Sequence, residues 1–269
     1  MKKLLLASSA LVLSAGLASA QGLSASGFGY MGFSNNNNSF DYGARLQVGG
    51  SVQADHGLTF GGYWRLWSTQ CDLSGAACTN QFWQQARVFV EVDGFRLTAG
   101  NTNGAVRTFA NTLLFYGFNP ISGMFFQGTA GWSGFHNDGQ DRNVLAQYSF
   151  GDIAGGVSYS ANTGDWEIAA RGTMDQFTIG LGYASAGGDF VVHGGWSDGT
   201  IGVAIGYDTL NAAVVLRGQY TMGDITLRAG GDITNGEYGL DVGYSLGGGA
   251  TASATISTQN IGAGVSFNF

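Results

Sequence analysis

The arginines are the side chains of this sequence best suited to act on a charged ligand. The eleven basic residues include two lysines, Lys2 and Lys3, and the other nine are arginines set against eighteen acids. Arginine stays charged at physiological pH and presents a rigid planar fork of donors. Such groups can steer anions and order water, or they can serve only to pair with neighbouring acids. The candidates are Arg45, Arg65, Arg87 and Arg96, then Arg171, Arg217 and Arg228, with Glu91 as the candidate acid.

Groups that could catalyse a reaction are sparse. The histidines, His56, His136 and His193, have no Ser or Cys nucleophile at a recognisable spacing, and no Gly-rich phosphate motif joins a strand to a helix. Asp138 and Asp141 could bind a cation such as calcium, but two acids in one loop are weak support for a metal site. The sequence therefore predicts neither an enzyme nor a cofactor.

The first twenty residues predict a secretory signal peptide. A basic "MKK" precedes the apolar stretch "LLLASSALVLSAGL", and the small residues "ASA" end it, which is the order typical of a cleaved export signal. A retained anchoring helix is the alternative, although the stretch is short for the roughly 20 residues of a bilayer span. We expect cleavage after Ala20, which leaves residues 21–269 as the mature chain.

Export would place both cysteines, Cys71 and Cys78, in an oxidising compartment. Cysteines in such a compartment usually pair, so we predict that these two form a disulfide within one loop. Two free thiols, or a metal site that lacks further ligands, are the alternatives.

The composition is unusual for a soluble domain. Only 11% of the residues are charged, against about 25% in a typical soluble protein, and 47 glycines accompany a single proline. The acidic balance leaves no surface suited to neutralising phosphates, which argues against a nucleic-acid partner. Few charges, many aromatic residues and no long apolar run beyond the signal indicate a chain that contacts lipid without a transmembrane helix.

The elements that would position the arginines are short alternating strands. The segments "IAGGVSYS", "FTIGLGYA" and "TIGVAIGYD" repeat with their tyrosines, Tyr159, Tyr183 and Tyr207, 24 residues apart. Such a period holds two strands of about nine or ten residues, enough for tilted strands to cross a bilayer. It predicts an all-β fold, a closed antiparallel sixteen-stranded transmembrane β-barrel, with fourteen and eighteen strands left open. The predicted strands are 23–34, 39–54, 57–70, 81–92, 95–102, 142–150, 153–161, 165–173, 177–185, 189–197, 200–208, 212–221, 224–233, 236–245, 250–257 and 260–269.

Within these segments one parity is apolar and the other is polar. Ile179 and Leu181 belong to the apolar parity, which would face lipid, whereas the polar parity carries Gly, Thr, Ser, Gln and nearly every strand arginine. The final segment, "NIGAGVSFNF", alternates in the same way up to Phe269. A sheet in lipid must close, since an open edge leaves backbone groups unpaired. The strand ending at Phe269 is therefore predicted to pair with the strand that begins near Leu23.

The sequence resembles the general diffusion porins of Gram-negative bacteria, in particular the sixteen-stranded alphaproteobacterial kind. The resemblance covers the mature chain and rests on "VFVEVDGFRLTAGNTNGA", "LAQYSFGDIAGGVSYS" and the terminal "GAGVSFNF". It implies a homotrimer in the cell outer membrane, in contact with outer-membrane lipid and lipopolysaccharide. It also implies that the barrel-insertion machinery reads Phe269, and that the loop holding both cysteines grips the neighbouring subunit.

The long loop after the fifth strand, residues 103–141, departs from the porin pattern. In the family this loop folds inward, constricts the pore and is usually rich in acids. Here its acids are Asp138 and Asp141, and aromatic residues dominate it. These rings either line the narrowest part of the pore or pack the loop against the barrel interior. The candidates are Phe109, Phe115, Tyr116 and Phe126.

Three functions are compatible with these features. The first is a water-filled channel for passive diffusion of small hydrophilic solutes and ions. The second is a substrate-specific channel with an aromatic-lined constriction, and the third is a structural or adhesive barrel without a useful pore. In a pore, the arginines predict weak anion selectivity, because acids in the short turns are screened within about 8–10 Å at physiological salt. Glu91 and Glu237, which also face inward, would offset part of that effect.

Overall fold

The computed structural model describes residues 22–35, 39–69, 81–110, 143–258 and 261–269. These stretches are almost entirely β-strand, joined by turns. None of the helices in them is long and apolar enough to cross a membrane.

Sixteen antiparallel strands in the described stretches form one closed sheet. Each strand pairs with the next along the chain, and the last pairs with the first. The predicted closed barrel of sixteen strands is thereby confirmed. The strands are β1 (Ser24–Ser34), β2 (Ser39–Gln53), β3 (Thr59–Thr69), β4 (Gln81–Val92), β5 (Phe95–Gly100), β6 (Asn143–Phe150), β7 (Ile153–Ser160), β8 (Trp166–Met174), β9 (Phe177–Ala184), β10 (Asp189–Ser197), β11 (Ile201–Asp208), β12 (Ala213–Met222), β13 (Ile225–Asp232), β14 (Glu237–Gly247), β15 (Ala250–Ser257) and β16 (Ile261–Asn268).

The end of β5 shows why a strand stops earlier than the alternation predicts. The sequence predicts this strand to residue 102, but β5 ends at Gly100, whose φ of 113° suits glycine. A Cβ at Gly100 would stand 2.5 Å from the carbonyl oxygen of Ala86. The N–H of Asn101 donates to that same oxygen at 2.9 Å. Glycine is therefore required at the point where the chain leaves the sheet.

Short turns connect the strands at one rim, here called the short-turn rim, and longer connections join them at the opposite, long-loop rim. In the short turn between β10 and β11, Asp198 accepts hydrogen bonds from the N–H groups of Ile201 at 2.7 Å and Thr200 at 2.8 Å. These bonds hold the pKa of the Asp198 carboxyl below its usual range, because they stabilise the charged form. Their contribution to stability is present above the ordinary carboxyl pKa and is lost as the pH falls through the lowered value.

The two faces of each strand differ as the alternation predicts. Outward side chains such as Ile179, Leu181 and Tyr238 are 58%, 56% and 67% exposed around the barrel. Residues of the opposite parity are largely small or polar, and several, among them Glu167 and Asp241, are buried. An apolar outer band around a polar interior is the arrangement of a barrel whose outside is solvated by lipid.

Aromatic rings cluster on the outside near the long-loop rim. The ring centroids of Trp166 and Tyr183 are 5.4 Å apart, and those of Tyr183 and Phe190 are 4.7 Å apart. These residues lie at the long-loop ends of β8, β9 and β10. Such rings suit the boundary between lipid and water, because each has an apolar body and most have a polar tip.

The seam between β1 and β16 is completed by the last residue of the chain. The N–H of Gly27 donates to the carbonyl of Phe269 at 2.6 Å, and the N–H of Phe269 donates to the carbonyl of Gly27 at 3.0 Å. The Phe269 ring covers Gly27, and the Phe267 ring covers Gly29, since a Cβ at either glycine would collide with the ring. Rings over cross-strand glycines help to pin the register. Phe269 therefore belongs to the sheet, as the alternation of the final segment predicts.

Deleting Phe269 should weaken this seam, because it removes both backbone bonds with Gly27 and the ring that covers it. Each bond contributes about 1 kcal/mol net in water and more where lipid replaces water. We expect the truncated chain to refold into detergent micelles with a clearly lower yield, measured by comparing the gel mobility of unheated and heated samples. Phe269→Leu keeps the backbone bonds and is the matched control. Equal yields for the truncated and full chains would contradict the expected role.

Candidate functional site in the barrel lumen

The chain turns into the barrel after β5. Residues Val106–Ala110 form a single π-helical turn, here called the inward turn, and Ala105 and Val106 are fully buried. The turn packs mainly against β8 and β9, with further contacts to β7 and β10. A segment buried against the polar face of a closed sheet lies inside that sheet. The face that it covers is therefore the inner face of the barrel.

Polar side chains of the wall hold the inward turn by its backbone. The N–H of Ala105 donates to Oγ of Ser158 at 2.8 Å, and the N–H of Val106 donates to Oε2 of Glu167 at 3.0 Å. Ser158 Oγ also donates to that oxygen of Glu167, at 3.2 Å. The first N–H groups of a helical turn lack partners within it, and a fully buried carboxylate needs donors. The wall therefore supplies acceptors for the N–H groups of the inward turn, and these donors in turn satisfy the buried carboxylate of Glu167.

The wall beneath the inward turn is built from residues without bulk. A Cβ on Gly182 would lie 3.0 Å from the side chains of Ala110 and Val106, and a Cβ on Gly156 would lie 3.0 Å from the Phe109 ring. Glycine allows the turn to approach the strands this closely, because it has no side chain to displace. The glycines of the polar parity thus make room for the inward segment.

Residues 101–110 follow the inward path predicted for the start of the long loop. Phe109 is 3% exposed and packs against the wall. Of the two roles left open for the aromatic residues, this burial agrees with the packing role for Phe109. The roles of the other loop residues and of the cysteines stay predictions. The residues outside the described stretches are Phe115, Tyr116, Phe126, Asp138, Asp141, Cys71 and Cys78.

The register of the sheet shows that the strand arginines named in the sequence analysis all belong to the inner face. Residues paired directly across strands point to the same face. Ser158, which holds the inward turn, pairs with Leu145, and Leu145 pairs with Thr98 on β5. Thr98 pairs with Phe89, and residues at even spacing from Phe89 on β4 share its face. The inward residues are Glu91, Arg45, Arg65, Arg87 and Arg96 on β2–β5, then Arg171 on β8, Arg217 on β12 and Arg228 on β13.

The four arginines of β2–β5 form a stepped row. In the register, Arg65 lies two residues nearer the short-turn rim than Arg45, and Arg87 lies two residues nearer still. Arg96 lies four residues nearer to that rim than Arg87. A two-residue step advances roughly 6–7 Å along a strand. The row therefore runs obliquely along one side of the lumen.

Aromatic rings from the neighbouring strands back three of these arginines, one of them Arg96, whose central guanidinium carbon lies 3.7 Å from the ring centroid of Phe89. The central guanidinium carbon of Arg87 lies 3.9 Å from the ring centroid of Tyr63, its direct cross-strand partner. The corresponding distance from Arg45 to Phe28, also a direct partner, is 5.6 Å. A cation over a ring face is attracted by the negative face of the ring. The ring holds the guanidinium in place without neutralising its charge.

The side-chain amides of two glutamines hold Arg65 between them. Arg65 donates from Nη2 and Nε to the side-chain oxygen of Gln47 at 3.2 and 3.3 Å, and from Nη1 to that of Gln85 at 3.0 Å. Both glutamines are direct cross-strand partners of Arg65. Like the rings, these amides are neutral, so they orient the guanidinium without themselves cancelling its charge.

Acids neutralise Arg96 and Arg228. Arg96 Nη1 lies 3.3 Å from Glu91 Oε2, and Arg228 Nη1 lies 2.8 Å from Asp241 Oδ1. Thr255 Oγ1 donates to the other oxygen of Asp241 at 2.8 Å. Such pairs are of the kind that the structural role left open for the arginines would need.

His193 is buried beneath the inward turn. It is 2% exposed on β10 and lies beside Gly180, where the carbonyl oxygen of Phe109 also approaches. Within the described stretches neither of its ring nitrogens makes a hydrogen bond. The same stretches hold no group of three His, Cys, Asp or Glu side chains that could bind a metal ion.

The chain matches the family model of Gram-negative porins over residues 7–269. The chain belongs to the Gram-negative porin family. Two engineered triple variants of the porin of Rhodopseudomonas blastica share its fold, each with a TM-score of 0.75 and 18% sequence identity, covering 92% of this chain and 100% of theirs. No curated protein sequence gives a significant match. The family and the closed barrel identify the protein as an outer-membrane porin channel.

Buried acids at the long-loop rim of the porin shape its loops. The Asp208 carboxylate accepts a hydrogen bond from the backbone N–H of Asn211 at 2.9 Å. The Asp232 carboxylate accepts one from the backbone N–H of Asn235 at 3.1 Å. Asp189 accepts from the backbone N–H of residue 210 at 2.8 Å. The Asp-x-x-Asn spacing is a turn signal that can be read from the sequence, but the predicted site residues do not include these acids. Their charges are committed to loop backbone at the rim.

Glu167 should be required to hold the inward turn of the porin. Glu167→Ala leaves the N–H of Val106 and the hydroxyl of Ser158 without this acceptor, a loss of about 1–3 kcal/mol. We expect a lower melting temperature in detergent and a larger, noisier single-channel conductance. Glu167→Gln keeps an oxygen acceptor and should behave much more like the wild type. Unchanged melting and conductance in Glu167→Ala would show that the wall contact does not hold the turn.

Proposed function

We propose that this porin is a water-filled channel for passive diffusion of small hydrophilic solutes and ions, with a weak preference for anions. One observation carries the preference. Arg45 and Arg87 belong to the inner face, and neither makes an ion pair with a described residue. Their neighbours are rings, which leave the positive charge intact.

Most of the described acids do little to offset these two charges. Glu237, on the inner parity of β14, is the acid expected to offset part of them. Glu91 and Asp241 are already paired with Arg96 and Arg228. The acids of the long-loop rim accept hydrogen bonds from loop backbone, and turn acids such as Asp198 lie outside the lumen, where salt screens them. A charge on the wall of a narrow polar lumen beside apolar material acts more strongly than one in open water.

Small inner side chains support a lumen that holds water. The inner positions of β11, across the barrel from the arginine row, and of β15 and β16 include Gly202, Ala204, Ser253, Gly262 and Gly264. Such residues project little into the lumen. A barrel without a useful pore would instead need bulky side chains here to fill its interior.

Further parts of this proposal follow from membership of the family. We propose that residues 1–20 are cleaved as a signal peptide, and that the mature chain forms a homotrimer in contact with outer-membrane lipid and lipopolysaccharide. We propose that the barrel-insertion machinery reads Phe269, so that a chain lacking it is exported but inserts poorly. The channel passes solutes without chemical change, in keeping with the prediction that the protein is not an enzyme.

The zero-current potential across a KCl gradient in a planar bilayer tests the anion preference. The wild type should favour chloride, and replacing Arg45 and Arg87 together by Gln should reduce that preference. Two unit charges about 8 Å apart in water interact by ~0.5 kcal/mol, so we expect a change of about twofold in the permeability ratio for each arginine.

Removing a neutral pair is the matched control for that experiment. Arg228→Gln combined with Asp241→Asn removes one charge of each sign from the same inner face and should leave the permeability ratio unchanged. A cation-selective wild type, or a ratio that Arg45→Gln and Arg87→Gln do not move, would refute the proposed preference.

The cysteine pair gives a further prediction for the protein isolated from the outer membrane. We expect peptide mapping under non-reducing conditions to recover Cys71 and Cys78 in one linked peptide. Disulfides close readily between cysteines so near in sequence in an oxidising compartment. Recovery of both residues as alkylated free thiols would rule the bridge out.

A further inference from the structure

Arg87 keeps its hydrogen-bond donors available while its position is fixed. The guanidinium lies against the Tyr63 ring at 3.9 Å, which is van der Waals contact for the planar group. A ring face offers no lone pairs in the plane of the guanidinium. The Nε group of Arg87 is buried and makes no hydrogen bond with a described residue. The guanidinium of Arg87 is therefore held in place while its Nε–H donor remains available to a ligand.

Arg45 repeats the arrangement further along the row. It lies over Phe28 at 5.6 Å and, like Arg87, has neither an ion pair nor a hydrogen bond among the described side chains. By contrast, the guanidinium of Arg228 donates hydrogen bonds to Asp241 and Gln219. Arg96 lies over the Phe89 ring at 3.7 Å but is also paired with Glu91. Arg45 and Arg87 differ from it, because each has a ring behind it and no acidic partner among the described residues.

The chemistry of an uncommitted guanidinium selects its ligand. Its parallel N–H groups match the two coplanar oxygens of a carboxylate, which accepts both bonds at once. A halide ion feels the same charge, but it is a single acceptor on which the two N–H groups must converge, so it matches their parallel directions less well. A carboxylate bound in the guanidinium plane also extends that plane along the wall, so it need not displace the ring behind.

We propose that Arg45 and Arg87, each backed by an aromatic ring, each provide a weak binding site for carboxylate-bearing solutes on the inner wall of this porin. The proposal rests on the channel function above and names a solute class for it. Each site discriminates by geometry as well as charge, so it favours a carboxylate over a halide of the same charge. Weak binding suits a channel, because a solute that enters must also leave.

The test compares potassium acetate with potassium chloride in planar bilayers containing the purified porin. Single-channel conductance is measured against salt concentration, and each salt yields a half-saturating concentration. For the wild type we expect half-saturation at a lower concentration in acetate than in chloride. Replacing Arg45 and Arg87 together by Lys keeps both charges and removes both planar forks. It should raise the acetate value about fivefold, the equivalent of about one hydrogen bond, and leave the chloride value nearly unchanged.

Two further variants separate the site from charge alone. Phe28→Leu with Tyr63→Leu removes the rings and keeps both arginines, and it should weaken acetate saturation in the same direction. Arg228→Lys changes an arginine whose donors are already engaged, so it should leave the acetate value where it is. The gel mobility of unheated and heated samples, compared with that of the wild type, reports that each variant is folded.

The outcomes distinguish this proposal from the one it rests on. Equal half-saturation in acetate and chloride, or an acetate value that survives the Lys substitutions, would overturn the carboxylate site even if the KCl gradient shows anion preference. Acetate saturation that is lost in the Lys variant would support the site even if the KCl gradient shows no preference, and the proposed ion selectivity alone would then fall.

Discussion

Every backbone group in a strand that crosses lipid must find its partner inside the protein, because hydrocarbon offers no hydrogen bonds. The closed order of sixteen strands meets that requirement. The seam between Gly27 and Phe269 is its most demanding point, since strands from the two ends of the chain must meet in register there. The position of every inner charge depends on this closure. A slip of one residue in β2 would turn Arg45 outward into lipid.

Closure leaves the inner face with two contrasting sides. On β7–β10, glycines such as Gly156 and Gly182 let the inward turn approach the strands closely. On β1–β4 the inner positions carry bulky rings and arginines, including Tyr63 and Arg87. Bulk on one side and glycine on the other have the same physical origin, because a closed sheet of fixed circumference must share its interior among all inward side chains. The arginines are thereby presented to a lumen that the inward segment narrows from another side.

The strands were predictable because a period of two is a local property of the sequence, and every observed end falls within two residues of the predicted one. The inner parity of the arginines was predictable for the same reason. Their partners were not, since alternation says which face a residue joins and not which residue lies opposite. Only the register shows that Arg87 meets Tyr63 while Arg228 meets Asp241. The hydrogen bond from the N–H of Val106 to Glu167 could not be predicted either, because it joins residues 61 apart in sequence.

The way in which an arginine is held decides whether its charge reaches the lumen. An acid would fix the side chain but cancel its field, as Asp241 does for Arg228. A ring or an amide fixes the side chain and leaves the charge intact, as Tyr63 and Gln47 do on the neighbouring strands. Only a planar guanidinium can use both kinds of neutral contact, because it combines a flat face with in-plane donors. A lysine has neither, and the sequence beyond Lys3 contains arginine as its only basic residue apart from histidine. The absence of lysine from the barrel is therefore what a wall of oriented and uncancelled charges requires.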